Sequence, residues 1–145
     1  MEYAIRRDDV AKVREILARG RESPHRWLHN ALYLGCTRAM VETILEASPT
    51  VAHDALRMAV NKNLLDIAEV LVRHGADVRE PMLLHNVLCP EMARFLVGAG
   101  ADVNRKCGWW TPLVCSVQYG RRQMTAELLR LGADPNQVRL SARCS

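Results

Sequence analysis

Leu129-Arg130-Leu131-Gly132-Ala133-Asp134-Pro135 completes a pattern that the chain has already used twice. Val72-Arg73-His74-Gly75-Ala76-Asp77-Val78 and Val97-Gly98-Ala99-Gly100-Ala101-Asp102-Val103 share its frame, apolar-x-x-Gly-Ala-Asp followed by Val or Pro. Gly20 closes a looser version, Ile16-Leu17-Ala18-Arg19-Gly20. A second signature stands upstream of such endings: Leu28-His29-Asn30-Ala31-Leu32 and Leu84-His85-Asn86-Val87-Leu88 agree at four of five positions. Self-similarity of this kind marks a repeat architecture, in which one unit cannot bury its apolar face alone and is stable only against its neighbours.

Between the signatures the apolar spacing is helical. Leu65, Ala68, Leu71 and Val72, and again Met92, Phe95 and Leu96, recur at three and four residues and make one stripe for burial. Gly20, Gly75, Gly100 and Gly132 follow the last apolar position, where a left-handed residue ends a helix. Each unit therefore reads as a pair of helices closed by a turn.

On these residues the chain resembles the ankyrin-repeat family, whose unit runs Thr-Pro-Leu-His, a glycine turn, a second helix and Gly-Ala-Asp-Val-Asn. The last unit fits best, with Thr111-Pro112-Leu113, Gly120, the helical run Met124 to Leu129, and Gly132-Ala133-Asp134-Pro135-Asn136. The same landmarks give five units over 1–136, at about 1–20, 24–48, 50–78, 80–103 and 104–136, with 137–145 a tail. The resemblance implies an all-α solenoid of stacked helix-turn-helix units.

Departures from that pattern matter as much. Matching positions Leu17, Leu45, Val72, Val97 and Leu129 are spaced by 28, 27, 25 and 32 residues, where the family's unit is about 33. Short joints, Ala47 to Val51 and Asp77 to Pro81, leave almost no projecting finger. Ser48 and Thr50 around Pro49 read as a hydroxyl-capped helix start, and Cys89-Pro90-Glu91 as another start replacing a glycine turn. Only Asn104 to Thr111 has the length of a full finger.

Composition bounds the function. The chain has 145 residues, 49% hydrophobic and 25% charged, which suits a single folded domain. It shows no apolar run of membrane length and no basic-then-apolar leader, so an intracellular protein is expected. Cys36, Cys89, Cys107, Cys115 and Cys144 are odd in number and unevenly spaced, unlike a disulfide framework. The net charge of +4 comes from arginines that mostly sit beside acids, which does not make a nucleic-acid arm. Arg6, Arg7, Arg38, Arg121 and Arg122 near turns are the residues that could line a basic edge, and nucleic acid is placed below protein as a partner.

In the family resembled here, finger tips and first-helix surfaces form a concave face that binds other proteins. Binding energy concentrates in a few aromatic or arginine contacts, which selects Arg105, Lys106, Trp109 and Trp110 in the long finger, with Gln118 and Tyr119 at the end of the following helix. Adjacent tryptophans leave an extended backbone on opposite faces, so one is expected to show, while Trp110 beside Thr111-Pro112 can pack on the preceding finger or helix. Tyr33, Asn61 and Lys62 occupy corresponding first-helix ends.

Other groups receive structural readings. The resemblance implies that His29 and His85 form hydrogen bonds between units, and no Cys-x-x-Cys or His-Glu-x-x-His accompanies them. Cys115 reads as a small apolar core residue. Asn104 and Asn136 read as turn asparagines bonding their own backbone, though their place is similar to asparagines that are hydroxylated in some ankyrin proteins. No catalytic constellation can be assembled, so no enzyme activity, metal or cofactor is expected. The leading reading is a protein-interaction module. The alternative is a structural or oligomerising piece of a longer repeat protein, motivated by a first unit that lacks its start and by ends without clear polar caps, which favour self-association.

Overall fold

A computed structural model of the chain describes residues 2–20, 23–48, 50 and 52–137. Among them are nine α-helices and no strand beyond one isolated bridge. The fold is an all-α repeat fold. The chain divides into two compact units, Met1–Asp77 and Val78–Ser145.

The first unit holds three helix pairs: α1 (Glu2–Arg6) with α2 (Val10–Ala18), α3 (Pro24–Leu34) with α4 (Arg38–Ala47), and α5 (Ala52–Asn61) with α6 (Leu65–Arg73). The second helices pack in series, α2 on α4 and α4 on α6, and the first helices form a parallel layer, α1 on α3 and α3 on α5. Helices of nine to eleven residues are marginal alone and depend on that burial. Their stripes close over Trp27, Leu28, Met40, Ile44, Leu56 and Leu71, all almost fully buried. Each pair turns on one left-handed residue: Asp8 (φ 54°), Gly35 (φ 71°) and Asn63 (φ 57°). Asp and Asn replace glycine because they tolerate this region better than other side chains. Asp8 does more, since its carboxylate accepts a hydrogen bond from the Thr37 hydroxyl at 2.7–2.8 Å and ties the first turn to the start of α4.

The first repeat, read from sequence as lacking its start, does own a short first helix, α1, only five residues long. The predicted helix start at Ser48-Pro49-Thr50 meets the structure only in part. Ser48 ends α4, its hydroxyl 3.3 Å from that of Thr50, while Pro49 and Val51 lie outside the described residues.

The second unit contains a 3₁₀ turn (Leu84–Asn86), α7 (Pro90–Gly98), α8 (Pro112–Gln118) and α9 (Arg122–Arg130). Here the expectation of a helix pair in every repeat fails. The fourth repeat has one 3₁₀ turn where its first helix should be. Met82 sits at φ 73°, and Val87 and Cys89 are extended, leaving only Leu84–Asn86 helical. Cys89 precedes Pro90, whose ring disfavours helical geometry in the residue before it. The predicted start at Cys89-Pro90-Glu91 is present: Cys89 Sγ accepts from the Met92 N–H at 3.4 Å and Pro90 opens α7. Thr111 caps α8 in the same way, accepting from the Val114 N–H at 3.2 Å.

α9 packs on both α7 and α8 around Met92, Leu96, Leu113 and Leu128. A polar contact borders them, with its arginine side chain open to solvent. The Arg94 guanidinium lies 2.8 Å from Glu127, whose side chain is 11% exposed.

Trp27 is 1% exposed, whereas Trp109 is 72% exposed. Trp27→Ala is expected to cost about 3–5 kcal/mol, as a large core truncation does, and Trp109→Ala to stay within about 0.5 kcal/mol of the parent. Urea denaturation followed by circular dichroism separates the two variants, and equal losses would contradict this core assignment.

Candidate partner-binding finger

The finger between α7 and α8 is built from its base upward by backbone hydrogen bonds. Asp102 Oδ1 accepts from the Asn104 N–H at 2.9 Å, turning the chain out of the helical repeat. The Asn104 amide then reaches across the unit. Its Nδ2–H donates to the Gly132 carbonyl at 3.2 Å and its Oδ1 accepts from the Asp134 N–H at 2.8 Å. The expectation that Asn104 bonds its own backbone is thus corrected: it staples the finger base to the close of the last repeat. Asn136 does keep a local turn, with both its N–H and its Nδ2 bonded to Asp134 Oδ1.

At the tip, the Cys107 N–H donates to the Trp110 carbonyl at 2.8 Å and the Trp110 N–H to the Cys107 carbonyl at 3.1 Å. This closes Cys107-Gly108-Trp109-Trp110 as an antiparallel turn. Gly108, at φ 60°, is the first central residue, the position that type II′ hairpin turns give to glycine. The Trp110 carbonyl has a second donor, His85 Nε2, at 3.1 Å. A carbonyl only accepts, so Nε2 carries the hydrogen, and the buried Nδ1 is left without a partner among the described residues. His85 is 6% exposed and supports the tip from below.

Trp110 is 44% exposed, less than its neighbour Trp109 at 72%, and the fully buried tryptophan is Trp27. Arg105 and Lys106 are exposed on the same finger.

The remaining candidates are not part of this cluster. Gln118 and Tyr119 are exposed at the far end of α8, separated from the finger by the buried residues 111–116. There the Arg121 guanidinium lies 5.1 Å from the Tyr119 ring centroid and donates to the Val87 carbonyl at 3.2 Å. Tyr33, Asn61 and Lys62 belong to the first unit. Lys62 Nζ donates to the Tyr33 carbonyl at 3.3 Å and lies 4.7 Å from that ring's centroid, with Asn61 exposed next to it in sequence. The predicted residues thus form a finger cluster, a site at the end of α8, and a tyrosine–lysine site in the other unit. A further pair, Arg7 over Tyr3 at 4.6 Å, was legible only as an i, i+4 spacing.

The two histidines of the repeated signature take different roles. His85 links the clipped repeat to the next finger as expected, but His29 is exposed mid-helix on α3. His53, which no motif singled out, makes a comparable bond in the first unit: its Nδ1 accepts from the Asp77 N–H at 2.9 Å. Among the basic candidates, Arg7 and Arg121 lie over tyrosines and Arg38 pairs with Glu42 at 3.0 Å. Cys115 is buried, and that burial pushes its thiol up, away from nucleophilic use. Cys36, Cys89 and Cys107 are free thiols as well, and Cys144 lies outside the described residues. Among the described residues no three His, Cys, Asp or Glu side chains converge as metal ligands.

A family profile described as ankyrin repeats, three copies, matches residues 56–139. The chain belongs to the ankyrin-repeat family. It is also similar to Ankyrin repeat protein nuc-2 of Neurospora crassa, 28% identical over 116 residues that take in 72% of this chain and 11% of that protein. The chain therefore spans about a tenth of that relative's length. Ankyrin repeats are in general protein–protein interaction modules, and this array places hydrogen-bonded backbone under exposed aromatic side chains. No described helix is long and apolar enough to cross a membrane.

Asn104→Ala removes both bonds that hold the finger base and is expected to cost about 1–3 kcal/mol. The same substitution at Asn136, whose bonds are local, is expected to cost less; thermal unfolding of both variants checks the order. Iodide is expected to quench the emission of Trp109 and Trp110 and to spare Trp27. In a Trp109→Ala, Trp110→Ala variant the remaining emission should resist quenching, and strong quenching there would contradict the burial of Trp27.

Proposed function

We propose that this ankyrin array binds a partner protein through the finger at residues 104–111, acting as a scaffold, adaptor or inhibitor rather than as a catalyst. One observation carries the reading. Two neighbouring indoles are exposed on a turn whose backbone is already satisfied by Cys107 and His85. Large aromatic side chains are among those that concentrate binding energy in an interface, and a backbone already bonded has less ordering left to lose on association. The tyrosine sites at Lys62 and Arg121 are the next candidates for contact, as residues of first-helix ends.

A second reading, self-association, draws on the last repeat. Val117 and Leu129 are 46% and 44% exposed and line one open groove with Ala126. Apolar surface of this kind can seat a further copy.

The test compares the intact chain with Trp109→Ala, Trp110→Ala in affinity capture, after circular dichroism shows equal helicity. Loss of the captured partner with the variant is the expected result. A partner retained by the variant would move the site off the finger. Concentration-dependent association of the intact chain in light scattering, with nothing captured, would favour the second reading.

A further inference from the structure

Several cations of this protein have a partner where they stand. Arg14, Arg19, Arg38, Arg94 and Arg130 each lie within ion-pair distance of a glutamate. Arg7, Lys62 and Arg121 lie over the three tyrosines of the chain. Arg105 and Lys106, like Arg26, Arg73 and Arg122, are exposed and have no ion pair or ring contact among the described residues, and of these five only Arg105 and Lys106 share a finger with exposed tryptophans. Across residues 103–126 the sequence carries Arg105, Lys106, Arg121 and Arg122 without a single Asp or Glu. Asp102, whose Oδ1 accepts from the Asn104 N–H, and Glu80 line one cavity with Arg105, and Lys106 does not line it.

From this we infer that the finger takes an acidic, extended segment of its partner, whose carboxylates meet Arg105 and Lys106 while an apolar residue covers Trp109 or Trp110. The inference rests on the finger being the binding site and adds the chemistry of what it binds. Charge complementarity selects the occupant. Two neighbouring exposed cations on a finger with tryptophans repel a basic segment and give a neutral one no electrostatic gain. Exposed aromatic rings with cations also suit single-stranded nucleic acid, but binding there tracks a run of phosphates along a charged groove, and this finger offers two adjacent cations. An acidic peptide needs no more than that. The turn is closed by hydrogen bonds of its own chain, between Cys107 and Trp110 and from His85 to Trp110.

The test uses the full chain, labelled with ¹⁵N in its tryptophans, and four probes: a peptide of repeated Glu-Glu-Leu-Pro, its Gln-Gln-Leu-Pro and Lys-Lys-Leu-Pro counterparts, and oligodeoxythymidine. The acidic peptide is expected to shift the indole N–H signals of Trp109 and Trp110 and leave that of Trp27 in place. Its affinity should fall by on the order of tenfold with Arg105→Glu, Lys106→Glu, and similarly on raising salt, as expected for exposed charge pairs. Equal binding of the glutamine peptide, stronger binding of oligodeoxythymidine, no binding of the acidic peptide, or indifference to the charge reversal would each overturn the inference. A partner lost with Trp109→Ala, Trp110→Ala but kept with Arg105→Glu, Lys106→Glu would retain the finger as the site and remove its acidic ligand. A partner kept by both variants would remove the site itself.

Discussion

Short amphipathic helices that cannot stand alone govern this protein. Within the first unit every helix pair completes its burial against the next, α2 on α4 on α6 in one layer and α1 on α3 on α5 in the other. Nine residues of helix contribute too few hydrogen bonds to offset the ordering of their backbone. Side chains such as Met40, Ile44 and Leu71, fully enclosed by neighbours, provide the compensation. The apolar stripe therefore has no freedom to serve recognition, and what reaches solvent for that purpose comes from turns and helix ends.

The same logic explains why the finger is usable. A projecting loop needs its backbone polar groups satisfied without a sheet to pair with. Here Asn104 answers the carbonyl and N–H groups of the last repeat, and His85 answers the carbonyl of Trp110. Asn104 reaches out from the finger base and His85 reaches in beneath the tip, so the finger is tied at both places. With the backbone held, the indoles of Trp109 and Trp110 need not pack inward to keep the turn in place.

Much of this was legible from the sequence. Gly-Ala-Asp endings and the helical spacing located α2, α4, α6, α7 and α9, because glycine and apolar period act locally. Cys89-Pro90 announced the start of α7 through the geometry that proline imposes on its predecessor. The fourth repeat was misjudged, since Leu84-His85-Asn86 matches Leu28-His29-Asn30 in letters while Met82 and the two flanking prolines leave room for one 3₁₀ turn. The burial of Trp27 and the exposure of Trp110 could not be read either. They depend on which side chain meets a facing helix and on a backbone carbonyl bonded by a histidine 25 residues away. The long-range bonds of Asn104 and His53 were hidden for the same reason.

What the account claims most centrally is that the exposed indoles of the hydrogen-bonded finger are the contact surface. The direct measurement is a ¹H–¹⁵N spectrum of the tryptophan indoles, recorded on the free chain and on the chain saturated with the partner it captures. The account predicts that the signals of Trp109 and Trp110 move on binding and that of Trp27 stays. A saturated complex in which all three signals keep their free positions would contradict it.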